Sequence, residues 1–466
     1  MSVDDRRIDL SLATAHELAM LMDQGHLSST QLVRSYLQRI ERADPALGAF
    51  TEVFADKALQ DASSRDRERA SASIRGPLHG IPVVFKDLVD IAGYRTTAGS
   101  KLYAGYVARH TASIVTRLEL AGMVTLGKNR MVELAYGGWG TNAAIGTPWN
   151  PWDLDHHRVP GGSSSGTAVA IAAGLAPIGI GSDTGGSVRI PAAMCGLVGL
   201  KTTRGQIPTD HLIPLSNTLD TVGPLTRCVT DAALVYTALR DASQGGALRQ
   251  PILDGEISGS RIGILTDQDL TDIDPEVRRT YRAAIEQLEH LGVETREFRM
   301  GQHFEDLVAR NGLFIAYEGW QLHGERIRGA PEKMDPGVLG RFRAGERITE
   351  TEYAAAQKKR ALDKQEMLEL MARVDFILTP TTPMTAIRIE DVDDSILPLN
   401  RFTRAVNYFG LCALAVPAGL DADGLPCSVQ FIGKPGAEAR LMNVGFAYEQ
   451  SRGPFPGADI SRLLQI

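Results

Sequence analysis

Two segments concentrate the residues that could do chemistry: Gly161-Gly-Ser-Ser-Ser-Gly166 and Gly181-Ser-Asp-Thr-Gly-Gly-Ser187-Val-Arg-Ile-Pro191. Neither is a phosphate loop, because the chain has no G-x-G-x-x-G behind a strand and no Gly-Lys-Ser/Thr ending here. One such cluster is explained by turns alone. Two of them flanking a single charge-free helical pattern are harder to dismiss. The second follows an apolar run and opens a helical pattern, a junction where successive N–H groups lack partners and glycine lets a carbonyl approach closely. Thr184, Gly185, Gly186 and Ser187 are therefore candidate donors to a developing oxyanion. Ser187 is the candidate nucleophile, and a serine hydroxyl needs a base beside it.

The histidines offer no obvious base. His156-His157 sit in a turn-like Pro-Trp-Asp-Leu-Asp segment, and His290, His303 and His323 lie in helical patterns among charged residues, as surface histidines do. A metal site from Asp153, Asp155, His156 and His157 has no ligand spacing behind it. Lys86 ends the apolar run Ile81-Pro-Val-Val-Phe85, so its amine faces desolvation, which favours the neutral, basic form. Local sequence equally allows an ordinary ion pair between Lys86 and Asp87.

Helix and strand signals supply the positioning elements. Thr14-x-x-Glu17 and Ser28-x-x-Gln31 fit capping boxes, and the first 75 residues read as a helical segment packed on the core. From 76 to 466 short apolar runs alternate with helical patterns. Strands are expected at Ile81 to Phe85, Val124 to Leu126, Ile178 to Ile180, Leu197 to Leu200, Arg261 to Leu265, Val293 to Phe298, Phe376 to Thr379, Ala413 to Pro417 and Ser428 to Ile432. The stretch at about 300–370 reads as a helical insertion or lid, with one loop near Gly329 to Gly340. The fold class is α/β, one large domain.

Composition removes other classes. Of 466 residues 43% are apolar and 23% charged, a globular profile, and 49 basic against 56 acidic side chains leave a net charge of −7 with no basic surplus for nucleic acid. Cys195, Cys228, Cys412 and Cys427 lie far apart and read as reduced. Met1 to Leu12 mixes acidic and basic residues without the apolar core of a secretory signal, so a cytoplasmic location is expected. The uncharged run Val159 to Ser182 is long enough to span a bilayer, but its Pro-Gly-Gly-Ser-Ser-Ser-Gly-Thr half would leave polar groups in hydrocarbon. It reads as a buried segment instead.

Taken together, Ser163 and Ser187 at a separation of 24 residues, with a lysine 77 residues before Ser163, resemble the amidase signature family. The resemblance extends to Gly80-Ile-Pro-Val-Val-Phe-Lys-Asp87, Gly140-Thr-Asn142, Asn150-Pro-Trp152, Cys195-Gly-Leu-Val-Gly-Leu-Lys201, Leu219-Asp-Thr-Val-Gly-Pro224 and Gly424-Leu-Pro-Cys-Ser-Val-Gln-Phe-Ile-Gly433. It is weakest from about 240 to 370. It implies a central mixed β-sheet covered by helices on both faces and a Ser–cis-Ser–Lys triad: Ser187 the nucleophile, Ser163 the bridging serine after a cis peptide bond, Lys86 the base. Ser164 would support that network, Asp183 and Arg189 would brace the loop as a buried charge pair, and Ala135, Tyr136, Gly137 and Gly138 would line the acyl pocket. The implied reaction cleaves an amide, ester or carbamate through an acyl-enzyme and needs neither metal nor organic cofactor. Small-molecule substrates are implied, with no nucleic acid or membrane partner, and a homodimer is compatible with this reading. Ser165 stands where many members have Gly, and Asn129-Arg130 where Thr-Asn is common.

Two other readings use the same residues. Gly162-Ser-Ser-Ser-Gly166 formally matches the nucleophile elbow of an α/β-hydrolase with Ser164 as nucleophile, yet Asp155-His-His-Arg-Val-Pro160 before it is no buried strand. The amidase subunit of a tRNA-dependent amidotransferase is the other; such subunits usually carry a Ser-Ser-Thr-Glu-Asn loop where this chain has Gly138-Trp-Gly-Thr-Asn142. The aromatics Trp139, Tyr317, Trp320 and Phe342 are candidates for an apolar substrate pocket, although aromatics at such spacing more often belong to the core.

Overall fold

The computed structural model describes residues 10–241, 251–396 and 398–465, so most of Met1 to Leu12 lies outside the described residues. Eleven strands are described: β1 (Phe50–Val53), β2 (Pro82–Lys86), β3 (Val124–Asn129), β4 (Ile178–Asp183), β5 (Val198–Lys201), β6 (Thr221–Thr226), β7 (Arg261–Ile264), β8 (Glu294–Glu297), β9 (Phe376–Pro380), β10 (Cys412–Leu420) and β11 (Pro426–Gly433). They form one sheet in the order β1-β3-β2-β4-β6-β5-β10-β11-β9-β7-β8. The β3-β2-β4 and β9-β7-β8 groups pair in parallel, and the remaining pairs are antiparallel.

The helices are α1 (Ala15–Asp23), α2 (Ser29–Leu47), α3 (Ala55–Ala70), α4 (Ser113–Leu120), α5 (Ser165–Ala172), α6 (Arg189–Met194), α7 (Val229–Asp241), α8 (Pro275–His290), α9 (Phe304–Gly329), α10 (Pro336–Glu346), α11 (Glu350–Leu370), α12 (Thr403–Phe409), α13 (Glu438–Arg452) and α14 (Ser461–Leu464). Both expected capping boxes form, with Thr14 bonded to Glu17 and Ser28 to Gln31, and Thr349 with Glu352 makes a third at the start of α11. Helices α6, α8 and α13 pack on β10 and β11, and α7 packs on β6.

Two strands escape the local pattern. β1 lies inside the segment read as helical, and its four residues find a partner only because β3 leaves an edge there, so the sheet crosses the 75/76 boundary. β6 contains Gly223 and Pro224, which argue against a central strand in sequence. Between β4 and β5, however, a side chain at 223 could not fit, since a Cβ there would lie 1.8 Å from the Leu200 carbonyl oxygen.

The uncharged run is explained by α5. Every residue from 159 to 194 is buried, and α5 lies across β2, β3, β4 and β6, where a charge would have no solvent to reach. No helix among the described residues is long and apolar enough to cross a membrane. Two glycines in β4 permit this contact: a Cβ on Gly179 would lie 2.4 Å from Thr167 Cγ2, and one on Gly181 would lie 2.6 Å from Ser164 Oγ. Gly181→Ala is therefore expected to overpack the junction, costing about 1–3 kcal/mol. A lowered thermal midpoint is the expected measurement; an unchanged midpoint would show that α5 does not depend on that glycine.

Candidate active site

The register of three parallel strands sets the site. Pairing of Phe85 with Ile180 places the carboxyl ends of β2 and β4 side by side, where open α/β sheets gather their ligands. Lys86 therefore emerges next to Gly181 and Ser182. Its Nζ lies 2.7 Å from Ser163 Oγ and 2.8 Å from Ser182 Oγ, and the amine is fully buried. The Gly162–Ser163 peptide bond is cis. Ser187 is tied to the same segment through its backbone, whose carbonyl accepts from the Ser164 N–H at 3.2 Å, and the residue keeps 6% exposure.

Burial displaces the Lys86 amine down to about 7, against the charges of Asp220 and Asp183, which favour the protonated form. That displacement corresponds to roughly 5 kcal/mol. The neighbours Val83, Val84 and Phe85, each fully buried, return about 1.5–3 kcal/mol apiece, enough to hold the strand in place.

Two other buried lysines show what is particular to Lys86. Lys128 pairs with Asp87 at 2.7 Å, which takes away the carboxylate that local sequence offered to Lys86. Lys201, lowered to about 8 by burial, donates to the carbonyls of Thr202 and Leu411, both at 2.8 Å. A carbonyl oxygen has no proton to give. Only Lys86 of the three faces a pair of hydroxyls.

Asp183 and Arg189 form the buried charge pair, with Nε 3.0 Å from Oδ2 and both side chains fully enclosed. Burial alone would raise the Asp183 carboxyl, but Arg189 and Lys201 outweigh it and hold it well below its ordinary value. Arg189 also donates to Gln430 Oε1, Thr403 O and Asn407 Oδ1, and Asn407 Nδ2 donates back to Asp183 Oδ1 at 2.8 Å. The Asp183 carboxylate takes the N–H groups of Gly186 (2.8 Å) and Val188 (3.2 Å). This corrects the expected donor set: the Gly186 N–H is committed to Asp183, because a carboxylate three residues earlier folds back on the turn. Among the described hydrogen bonds the N–H groups of Thr184, Gly185 and Ser187 meet no acceptor in the protein.

Ser182 and Asp220 were not evident from sequence. Ser182 carries no signal until the strand register is known. Asp220 accepts from Thr184 Oγ1 at 2.6 Å and from the Leu215 and Ser216 N–H groups, while burial raises its carboxyl. A cavity of about 160 Å³ opens beside them, lined in part by Ser182, Thr184, Asp220, Ala135 and Leu215. Ala135 and its neighbour Leu134 are left-handed, at φ 60° and 48°. Non-glycine residues are held there only where the surroundings dictate it, commonly at functional sites. Tyr136 packs edge-on against Phe342, and Gly137 and Gly138 approach Arg341 and Asn400.

Trp139, Tyr317, Trp320 and Phe342 make no common pocket: Trp139 joins a small cluster with Val159 and Ile190, Tyr317 stacks on Tyr353, and Trp320 and Phe342 belong to the main core. His323 is buried rather than on the surface, its Nε2 2.7 Å from Pro214 O and its Nδ1 3.0 Å from the Tyr103 hydroxyl. Ser164 Oγ donates to Ser182 O at 3.4 Å beneath Gly181, with no imidazole among its described partners, which is no elbow geometry. Asp153 serves a turn, accepting from the Asp155 and His156 N–H groups and from Arg158. The donor atoms of His16, Cys228 and Asp231 also gather within 4.8 Å. There Asp231 caps α1 by accepting the N–H groups of Ala15 and His16, and burial pushes the Cys228 thiol well above its usual range. All four cysteines are free thiols.

The family model named Amidase matches residues 31–442. The chain belongs to the Amidase family. A glutamyl-tRNA(Gln) amidotransferase subunit from Symbiobacterium thermophilum is 36% identical over 477 residues, covering 94% of this chain and 96% of that one. A 2-amino-5-chloromuconic acid deaminase from Comamonas testosteroni is 36% identical over 450 residues, covering 94% and 96%. The crystal structure of peptide amidase from Stenotrophomonas maltophilia superposes with a TM-score of 0.81 at 31% identity, over 96% of this chain and 98% of that one. The mixed sheet expected from the motifs is thus that of the Amidase family, and the chain is an enzyme of the class that acts on carbon–nitrogen bonds of amides.

Proposed function

We propose that this Amidase-family chain hydrolyses a small carboxylic amide through a Ser187 acyl-enzyme, with Ser163 and Lys86 as the proton relay. The observation that carries the reading is the 2.7 Å approach of a fully buried amine to the Ser163 hydroxyl. Neutral Lys86 accepts the Ser163 proton while an N–H still donates to Ser182. Ser163 in turn takes the proton of Ser187 as Ser187 Oγ bonds to the carbonyl carbon. The oxyanion is held by N–H groups of the set Thr184, Gly185 and Ser187, each such donor being worth roughly 2.7–4 kcal/mol of barrier. The proton returns along the relay to the leaving nitrogen, the C–N bond breaks, and the amine departs. Water then adds to the acyl carbon, giving its proton to the relay, and the acid leaves. Ser164 keeps the bridging segment against β4. Esters and carbamates fit the same steps.

The likeness to amidotransferase subunits supports a second reading, in which the chain works only with partner subunits. A hydrolysis screen over primary amides, anilides and carbamates with the purified chain separates the two. Release of ammonia or amine by the chain alone, with a fluorophosphonate probe attached at Ser187, is the expected result. Labelling without turnover of any amide would favour the subunit reading, and absence of labelling in folded protein would remove the nucleophile.

A further inference from the structure

Buried polar atoms without a partner are few in a folded protein, and each asks for an explanation. Two side chains carrying such atoms meet at the loop before Ser187. Asn311, on α9, is fully buried, and neither its Oδ1 nor its Nδ2 has a partner. Arg404, on α12, is 7% exposed; its Nη1 donates to the Val308 carbonyl at 3.0 Å, while its Nε is buried without an acceptor. No carboxylate of the described residues is paired with this guanidinium, a costly state for a buried cation unless something else completes it. Both side chains converge on Gly185. A Cβ there would lie 3.2 Å from Arg404 Cγ, 3.4 Å from Arg404 Nε and 3.3 Å from Asn311 Oδ1. A third unpartnered atom, Asn400 Oδ1, faces the neighbouring Gly138, and Asn400 Nδ2 donates to Gly185 O at 2.7 Å.

We propose that Arg404 and Asn311 form a subsite for a carboxylate carried on the acyl part of the substrate, so that the preferred substrates are half-amides of dicarboxylic acids. The proposal rests on the amidohydrolase reading and adds the substrate class. Planar guanidinium and carboxamide donors suit a carboxylate, and the charge-assisted bonds replace the missing counter-ion. Arg341 adds positive charge beside Tyr136, donating from Nε to the Tyr136 carbonyl at 2.9 Å, with Asp394 3.9 Å from its Nη1. The absent side chain at 185 leaves Arg404 in contact with the loop that would hold the reacting carbonyl.

Calorimetric titration of the Ser187→Ala protein tests this without turnover. Malonamate, succinamate and glutaramate are compared with propionamide, butyramide and valeramide, in which a methyl group replaces the carboxylate. At least one half-amide is expected to bind about ten- to a hundredfold more tightly than its methyl counterpart. Adding Arg404→Met should erase that ratio, and Arg404→Lys should restore part of it, whereas a merely structural role would move both members of a pair alike. Equal affinities within every pair, or a ratio that survives Arg404→Met, would overturn the subsite. Should Arg404→Met fail to fold, Asn311→Leu is read for the same ratio. Failure of the amidohydrolase reading shows separately, as absence of turnover and of Ser187 labelling in the unsubstituted protein.

Discussion

Lys86→Ala is expected to lower kcat/KM for any amide the enzyme cleaves by a factor on the order of 10⁶, the scale on which removal of the base of a nucleophile–base unit acts. Raising the pH should not restore it, because among the described residues no other side-chain group is bonded to Ser163 Oγ to take the proton. In the unsubstituted enzyme kcat/KM should climb as pH rises through about 7, where burial places the Lys86 amine. The sign follows from the chemistry: below that value the ammonium has no lone pair, and above it the neutral amine accepts. Asp220 and Asp183 favour the ammonium, so Asp220→Asn should move the rising limb to lower pH. A Lys86→Ala enzyme with an unsubstituted rate at neutral pH would remove lysine from the mechanism.

Arg189→Met should act on stability first. The guanidinium satisfies both Asp183 oxygens, Gln430, Thr403 and Asn407 inside a fully buried cluster. Removing it strands the Asp183 charge in low dielectric, and breaking a buried pair in this way costs about 3–5 kcal/mol. Exposed pairs such as Arg282 with Asp267 are worth no more than about 1 kcal/mol, so Arg282→Met is the natural comparison. The thermal midpoint of Arg189→Met should fall well below that of Arg282→Met. Because Asp183 also holds the Gly186 and Val188 N–H groups, the surviving folded protein should label poorly at Ser187. Equal midpoints for the two variants would show that the cluster is not what secures the loop.

What the chain's order of residues determined by itself was local: helix starts, the apolar strands, and the motifs that hold Lys86, Ser163 and Ser187. Capping boxes and strand runs act between residues a few positions apart, so they are legible without coordinates. β1 and β6 were not, since four residues of weak alternation and a strand containing Gly and Pro acquire their pairing only from neighbours remote in the chain. The same limit governed the partners. Local sequence offered Asp87 to Lys86, and the sheet gave Asp87 to Lys128 and hydroxyls to Lys86. It also brought Asn311 and Arg404, more than a hundred residues downstream, against Gly185. Tertiary structure decided these because desolvation and hydrogen bonding depend on distance through space, and residue order fixes that distance only after the strands have chosen their register.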